Sequence, residues 1–366
     1  MSLNWLEVSG IRNIIQARLN LTPKINLIVG ANGSGKTSLL ESVYFLGTAR
    51  SFRNTSVTPM IARELDQCLV RGEVTSGSTS HRLGVLRKRD GAREIKIDGG
   101  DVAKPSDLAN IIPTLVVGPE TVNLLLGAPS LRRRFLNWGV FHVEQSFNQS
   151  WIEANRCLKQ RNALLRQNFL NREKSINVEI DTWTQELIRH AQEIDRVRAD
   201  YAEVYARFFL EHCKHLTDLQ GVTIQYYRGW GADQSLAEIY ENDRDIDQKR
   251  GYTTRGFHRA DVRIRVNGQD VSSVCSRGEL KVLSWAMVLS QGAVLRDSAD
   301  SNLVYLVDDL GSELDKRHQQ RFCRHLALTG NQILATGIEI ETLAKFWEGQ
   351  ALRMFHVKHG VVEPVA

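Results

Sequence analysis

Three short stretches of this sequence carry residue types suited to phosphate chemistry. Gly30-Ala31-Asn32-Gly33-Ser34-Gly35-Lys36-Thr37-Ser38 fits the pattern G-x-x-x-x-G-K-[ST]. Its glycines let the backbone bend around a triphosphate without Cβ clashes, so successive N–H groups and a positive helix end can face the charge. Lys36 is then placed to reach the β- and γ-phosphates, and the Thr37 hydroxyl to ligate Mg²⁺. The expected ligand of this loop is ATP or GTP. Far along the chain, Asp308 and Asp309 form a pair of adjacent carboxylates. Asp308 is expected to hold Mg²⁺ beside Thr37, directly or through water, and Asp309 to polarise the attacking water or take its proton. Between these lies Ser276-Arg277-Gly278, a hydroxyl and a flexible backbone at a predicted helix start. One nucleotide already has its own loop, so Ser276 and Gly278 are expected to read the γ-phosphate held by another subunit.

These stretches need rigid carriers, and the hydrophobic pattern supplies them. Residues 25–29 are an apolar, β-branched run that predicts a buried strand, and 38–46 have helical apolar spacing. That strand–loop–helix context is what the phosphate loop requires. Residues 303–307 end on the two carboxylates, as a central parallel strand delivering acids at its carboxyl edge would. Val282, Leu283, Ala286, Met287 and Leu289 give the segment after Ser276 an apolar helical face. Residues 332–337 predict a further strand bearing Thr336, whose hydroxyl can position water or bond a phosphate but cannot titrate near neutral pH.

Residues 1–137 read as β-rich with one early helix, with alternating strands and the turn signals Asp90-Gly91 and Asp98-Gly99. From 138 to 250 proline disappears, and Leu158, Ala163, Leu164, Leu165 and Phe169 fall on one helical stripe. Trp183, Leu187, Ile188, Ile194, Val197, Tyr201 and Val204 fall on another, with the charged stretch 171–175 between them. This predicts a helical hairpin, too short for a long rod. Strand character returns at 222–227, and after 250 the chain again alternates β and α. The economical arrangement is an α/β nucleotide-binding head built from 1–137 and 251–366, interrupted by a helical arm at 138–250.

The 366 residues are 42% hydrophobic and 24% charged, values of a globular chain. A formal charge of +5 permits a polyanionic partner without demanding one. No apolar run approaches the roughly 18 residues of a membrane span, and the start lacks the features of a signal peptide, so a cytoplasmic location without a membrane partner is expected. The cysteines Cys68, Cys157, Cys213, Cys275 and Cys323 are scattered and never spaced C-x-x-C, which suits small buried hydrophobes rather than metal ligands.

The order of loop, Ser-x-Gly and double acid resembles the ABC-type ATPase heads of the SMC, Rad50 and RecF group. Within that group the sequence resembles the RecF family of bacterial recombination mediators over nearly its whole length. The carrying motifs are Gly30 to Ser38, Ser51-Phe52-Arg53, Gly118-Pro119-Glu120, Leu131-Arg132-Arg133-Arg134-Phe135-Leu136, Gly256 to Asp261, Ser276 to Lys281, and Asp308 to Asp315. Phe257 stands where that family usually has proline, and Glu279 where it usually has glutamine. The short insert excludes the long-armed members. The resemblance implies a parallel sheet plus an antiparallel β layer, and an ATP-dependent homodimer with two ATP molecules sandwiched between heads. It implies a weak DNA-dependent ATPase of gap repair in the nucleoid, acting on duplex DNA beside single-stranded gaps, with RecR and RecO as partners and a role in recombination, replication and the damage response. It places Glu120 as a lid residue sensing nucleotide and metal. Thr336 stands where ABC transporters carry a switch histidine, which implies slow hydrolysis used for timing.

Candidate DNA contacts are Arg50, Arg53, Arg87-Lys88-Arg89 and Arg132-Arg133-Arg134. Three consecutive helical residues sit about 100° apart, so the last trio cannot share one face, and at least one member should be structural or at an interface. Without a base-reading element, contact should be with the sugar-phosphate backbone and strongly salt-dependent. Competing readings are the ATPase subunit of a membrane transporter, a small-molecule kinase, and a nucleotide-gated scaffold with negligible turnover. A kinase would have no use for Ser276-Arg277-Gly278.

Overall fold

The strand Ile25–Val29 is buried at every position, as its unbroken apolar run requires. In the computed structural model, which describes residues 1–54, 56–171, 176–299, 301–313 and 315–365, this strand is central to a six-stranded sheet. The order is Val361–Val365, Leu352–Lys358, Ile25–Val29, Gln332–Gly337, Val304–Val307, Thr114–Val117. All neighbours pair in parallel except Val361–Val365, which closes an antiparallel hairpin. The register sets Thr336 opposite Ile28 and Val307 opposite Ala335. The phosphate loop, Thr336 and the two acids therefore leave the sheet at the same carboxyl edge, where α/β sheets hold ligands.

A second six-stranded sheet is antiparallel throughout, in the order Ile14–Asn20, Ser2–Ile11, Gln67–Ser76, Thr79–Lys88, Arg93–Ile97, Gly100–Asp101. The helix Lys36–Thr48 lies against strands of both sheets. This explains why ten of its residues, Glu41 among them, are buried all round rather than along one stripe. Its closeness to the antiparallel sheet depends on Gly72, where a Cβ would come within 2.7 Å of Leu46 Cδ2.

The chain divides into two compact units: Met1–Val122 with His215–Thr217 and Arg277–Ala366, and Asn123–Lys214 with Asp218–Ser276. The second unit is thus wider than the 138–250 expected from composition. Its helix Pro129–Val143 is tied to the strand Asp261–Val266 by side chains: Arg132 holds Asp261 through two hydrogen bonds of 2.7 and 3.0 Å, and Arg133 Nη1 donates to the Ala260 carbonyl at 2.9 Å. Helical texture marks only the middle of such a unit.

The arm itself is the helix pair Ser146–Asn171 and Ile176–Leu216, with a small antiparallel sheet of Val222–Tyr227, Asp261–Val266 and Gln269–Asp270. Residues 172–175 of the expected charged turn lie outside the described residues. Tyr201, Tyr205 and Phe209 stack in register along the longer helix, with centroids 6.0 and 6.2 Å apart. Phe169 is a correction to its stripe: it is 56% exposed. Phe257 is fully buried and meets Trp151 edge to face, so an aromatic fills the place expected for proline. Among the described residues no helix is long and apolar enough to cross a membrane.

Candidate nucleotide site

The phosphate loop follows its strand with backbone angles that glycine alone adopts easily. Gly33 sits at φ 76°, with nothing within 4 Å of where a Cβ would stand. At Gly30, by contrast, a Cβ would lie 2.3 Å from the Val357 carbonyl oxygen, so the neighbouring strand leaves room for hydrogen only. Ala31, Asn32 and Gly33 are exposed at the tip, whereas Ser34, Gly35 and Lys36 are buried. Ser34 Oγ is a buried hydroxyl lacking a protein partner. Lys36 Nζ donates to the carbonyls of Gly30 at 2.8 Å and Ala31 at 3.0 Å. Burial lowers the Lys36 pKa, opposed by the charges of Asp309 and Asp308.

Thr37 Oγ1 donates to Asp308 Oδ1 at 2.9 Å. Thr336, with no exposed surface, also donates to Asp308 Oδ1 at 2.9 Å and accepts the Asp309 N–H at 2.8 Å. Asp309 itself sits at φ 54°, a left-handed conformation that costs a non-glycine residue roughly 1–2 kcal/mol. The Thr336 hydroxyl thus fixes the carboxylate that would meet the metal and the backbone of the one that would meet water. Burial raises the Asp308 pKa, a trend eased by the two hydroxyls, reinforced by Asp309 and eased again by Arg53.

A carboxylate with a raised folded pKa weakens the fold above that pKa, and the penalty disappears below its ordinary unfolded value. Asp308→Asn is therefore expected to raise Tm at pH 7, with the gap closing as pH falls through the usual carboxylate range. Thermal melts from pH 3 to 8 check this; a lower Tm at pH 7 would show that the hydroxyl contacts outweigh burial.

Three supports were not legible in the sequence. Asn13, in the tight turn between Ser2–Ile11 and Ile14–Asn20, donates through Nδ2 to the carbonyls of Ser34 at 2.9 Å and Gly33 at 3.3 Å, and accepts from Ser38 Oγ at 3.2 Å. Gly360, in the last hairpin, donates its N–H to the Ser34 carbonyl at 2.9 Å. Glu41, wholly buried, takes two hydrogen bonds from Arg12, at 2.5 and 3.0 Å, and one from Ser51 Oγ. Ser51 Oγ in turn accepts the N–H groups of Arg53 and Asn54 at 3.1 and 3.0 Å, which shapes the loop after the first helix. An asparagine at a turn and a lone acid inside an apolar helix were the available signals.

Ser276, Arg277 and Gly278 are all exposed at the start of the helix Arg277–Ala299, and no atom lies within 4 Å of where a Gly278 Cβ would be. Ser276 belongs to the second compact unit and Gly278 to the first. Glu279 occupies the first turn, where an acid is favoured by the helix dipole. Glu120 is exposed on the short turn Pro119–Val122.

Among the basic groups, Arg132 and Arg133 are engaged as described above, and Arg89 donates to the carbonyls of Leu65, Ala62 and Arg63. Arg50, Arg53 and Arg134 are exposed.

The donor set suits a hard divalent cation. Thr37 and Asp308 offer oxygen ligands, and among the described residues no cluster of three or more His, Cys, Asp or Glu converges at this site or any other. Thr37 and Asp308 would be the residues to hold Mg²⁺, a cation that takes oxygen ligands.

The family described as RecF/RecN/SMC N terminal domain matches residues 2–363. The DNA replication and repair protein RecF of Stutzerimonas stutzeri (strain A1501) is 39% identical over 364 residues, covering 99% of this chain and 97% of that protein. The same-named protein of Pseudomonas putida (strain KT2440) is 39% identical over 363 residues, covering 98% and 97%. Among solved structures, the recombination mediator protein RecF-ATP of the RecFOR pathway superposes with a TM-score of 0.89 at 23% identity, covering 100% of this chain and 98% of that one. The SmcHead bound to the C-winged helix domain of ScpA gives 0.59 at 14%, covering 100% and 97%. These likenesses show the fold: an ABC-type P-loop head with an inserted helical unit.

Proposed function

Because the chain belongs to the RecF family within the RecF/RecN/SMC group, we propose that it is an ATP-binding DNA repair and replication protein whose subunits pair around nucleotide. The observation that carries this reading is the meeting of Thr37, Asp308, Thr336 and the Asp309 backbone at the mouth of the phosphate loop. Lys36 and the loop amides hold the β- and γ-phosphates. Thr37 and Asp308 hold Mg²⁺, which supplies neutralisation of phosphate charge. Asp309 orients the attacking water and accepts its proton, while Ser276 and Gly278 complete the site of a second subunit. Two ATP molecules then close two heads into a clamp on duplex DNA beside a single-stranded gap, with RecR and RecO as partners in loading recombinase. Slow hydrolysis reopens it.

The exposure of Ser276, Arg277 and Gly278 supports the trans role, since a phosphate reader serving another molecule has to face outward. The occupied Arg89, Arg132 and Arg133 leave Arg50, Arg53, Arg87, Lys88 and Arg134 among the candidates to meet DNA phosphates, and of these Arg50, Arg53 and Arg134 are the exposed ones.

The central experiment measures DNA binding by size and single-turnover hydrolysis, with ATP, ADP or no nucleotide, on duplex, single-stranded and gapped substrates. ATP should tighten binding to gapped duplex at least tenfold, and added salt should weaken it steeply. Equal binding under all three nucleotide conditions would overturn the clamp. No hydrolysis under any condition would favour the scaffold reading.

Thr336 gives a sharper test of the reaction centre. Thr336→Val keeps the shape and removes the hydroxyl that holds Asp308 and Asp309, so kcat should fall about tenfold to a hundredfold with little change in KM. Thr336→Ser should restore most of it. A valine variant hydrolysing at the parent rate would remove Thr336 from the mechanism.

A further inference from the structure

We propose that a groove beside the helix Lys316–Leu328 binds an acidic peptide segment with a bulky apolar anchor, supplied by another protein. The groove has a volume of about 680 Å³ and lies in the first compact unit, between that helix and the segment that follows Ile340–Lys345. It is separate from the nucleotide site, and the proposal stands or falls without the clamp.

The helix has two opposed faces. Phe322, Cys323 and Leu326 are buried in the core, and Trp347, itself buried, donates its indole N–H to the Cys323 carbonyl at 3.2 Å, fixing one wall. Arg317, Arg321, Arg324 and Leu328 follow one another at helical spacing on the face that lines the groove. Leu328 is 70% exposed, and half-buried Phe346 lies across from it. Lys345 adds a fourth cation, against one carboxylate, Glu348, among the described residues that line the groove.

This combination selects its occupant. Guanidinium forks match carboxylates in two-pronged geometry. A solitary exposed leucine means little, but one set in a concavity with Phe346 and ringed by cations offers an apolar seat that a charged rim would orient. A nucleic-acid backbone would use the cations and leave the apolar floor unmatched. An amphipathic peptide carrying Asp or Glu on one side and Phe or Leu on the other uses both.

The test is fluorescence anisotropy on the full chain with a labelled amphipathic helical peptide that carries Phe at i, i+3, i+4 and i+7 on one face and Glu on the other. A Lys-for-Glu counterpart, a Ser-for-Phe counterpart and a labelled duplex run alongside. The Glu–Phe peptide should bind at least tenfold more tightly than either counterpart. Arg324→Glu with Lys345→Glu, both at exposed positions, should weaken it at least tenfold, and Leu328→Ser likewise, with unchanged Tm and ATP binding. No binding, equal binding of the Lys-for-Glu peptide, or indifference to both variants would overturn the proposal. So would loss of duplex affinity in place of peptide affinity, which would make the groove a phosphate track. A change in self-association without peptide would assign the groove to a second copy of this chain and overturn it too.

Discussion

Lys36→Arg is expected to retain nucleotide binding within about tenfold while turnover falls at least a hundredfold. The charge survives the substitution, so the phosphates keep most of their Coulombic attraction. The geometry does not survive. Lys36 is 8% exposed and its ammonium fits between two carbonyls of its own loop at 2.8 and 3.0 Å, a seat shaped for a compact point charge. A planar guanidinium cannot settle there without displacing the loop, and Asn13 and Gly360 both hold that loop through the Ser34 carbonyl. Equilibrium binding of a fluorescent ATP analogue and single-turnover hydrolysis measure the two halves. Turnover at the parent rate would mean that the reaction centre lies elsewhere.

The second large effect is on association. Ser276→Arg should leave one protomer folded and able to bind ATP, yet weaken ATP-dependent pairing at least a hundredfold. Ser276 is exposed, so a larger side chain disturbs no core and Tm should hold. At an interface built around a partner's γ-phosphate, the same bulk blocks approach and the lost hydroxyl removes a contact. Light scattering across a concentration series, with and without ATP, reads the result. Undiminished pairing would refute the trans role of Ser276 and leave the phosphate loop untouched.

The parts of the site legible in the sequence are those whose chemistry depends on adjacent residues. The phosphate loop and the Asp308-Asp309 pair are local patterns, and each is bounded by an apolar run that could only be a buried strand. The supports were harder because they are pairings across the chain. Nothing near Asn13 announces that it grips a loop some twenty residues on, and nothing near Gly360 ties it to Ser34. Charge runs were the least informative. Arg132 and Arg89 sit in basic clusters, but one is paired with Asp261 and the other caps carbonyls, and only long-range packing decides between these uses and DNA. The arm hides two further buried cations: Arg161, held by Asp247 at 2.8 Å, and Arg198, which donates to Asn137 and the Phe257 carbonyl. On a helical pattern alone such residues look like solvated surface.

The neighbours of Ile25–Val29 have a consequence for biosynthesis. That strand is made about 300 residues before its two partners, Gln332–Gly337 and Leu352–Lys358. Between them the ribosome has to deliver the whole arm, so the early strand waits, unpaired and apolar, while those residues are made. The nascent polypeptide therefore passes through a long interval in which an apolar strand has no partner and the residues that meet Thr37, Asp308 and Thr336, have yet to be made. A product stalled in that interval would carry the phosphate-loop sequence intact but lack the two strands that hold it in place.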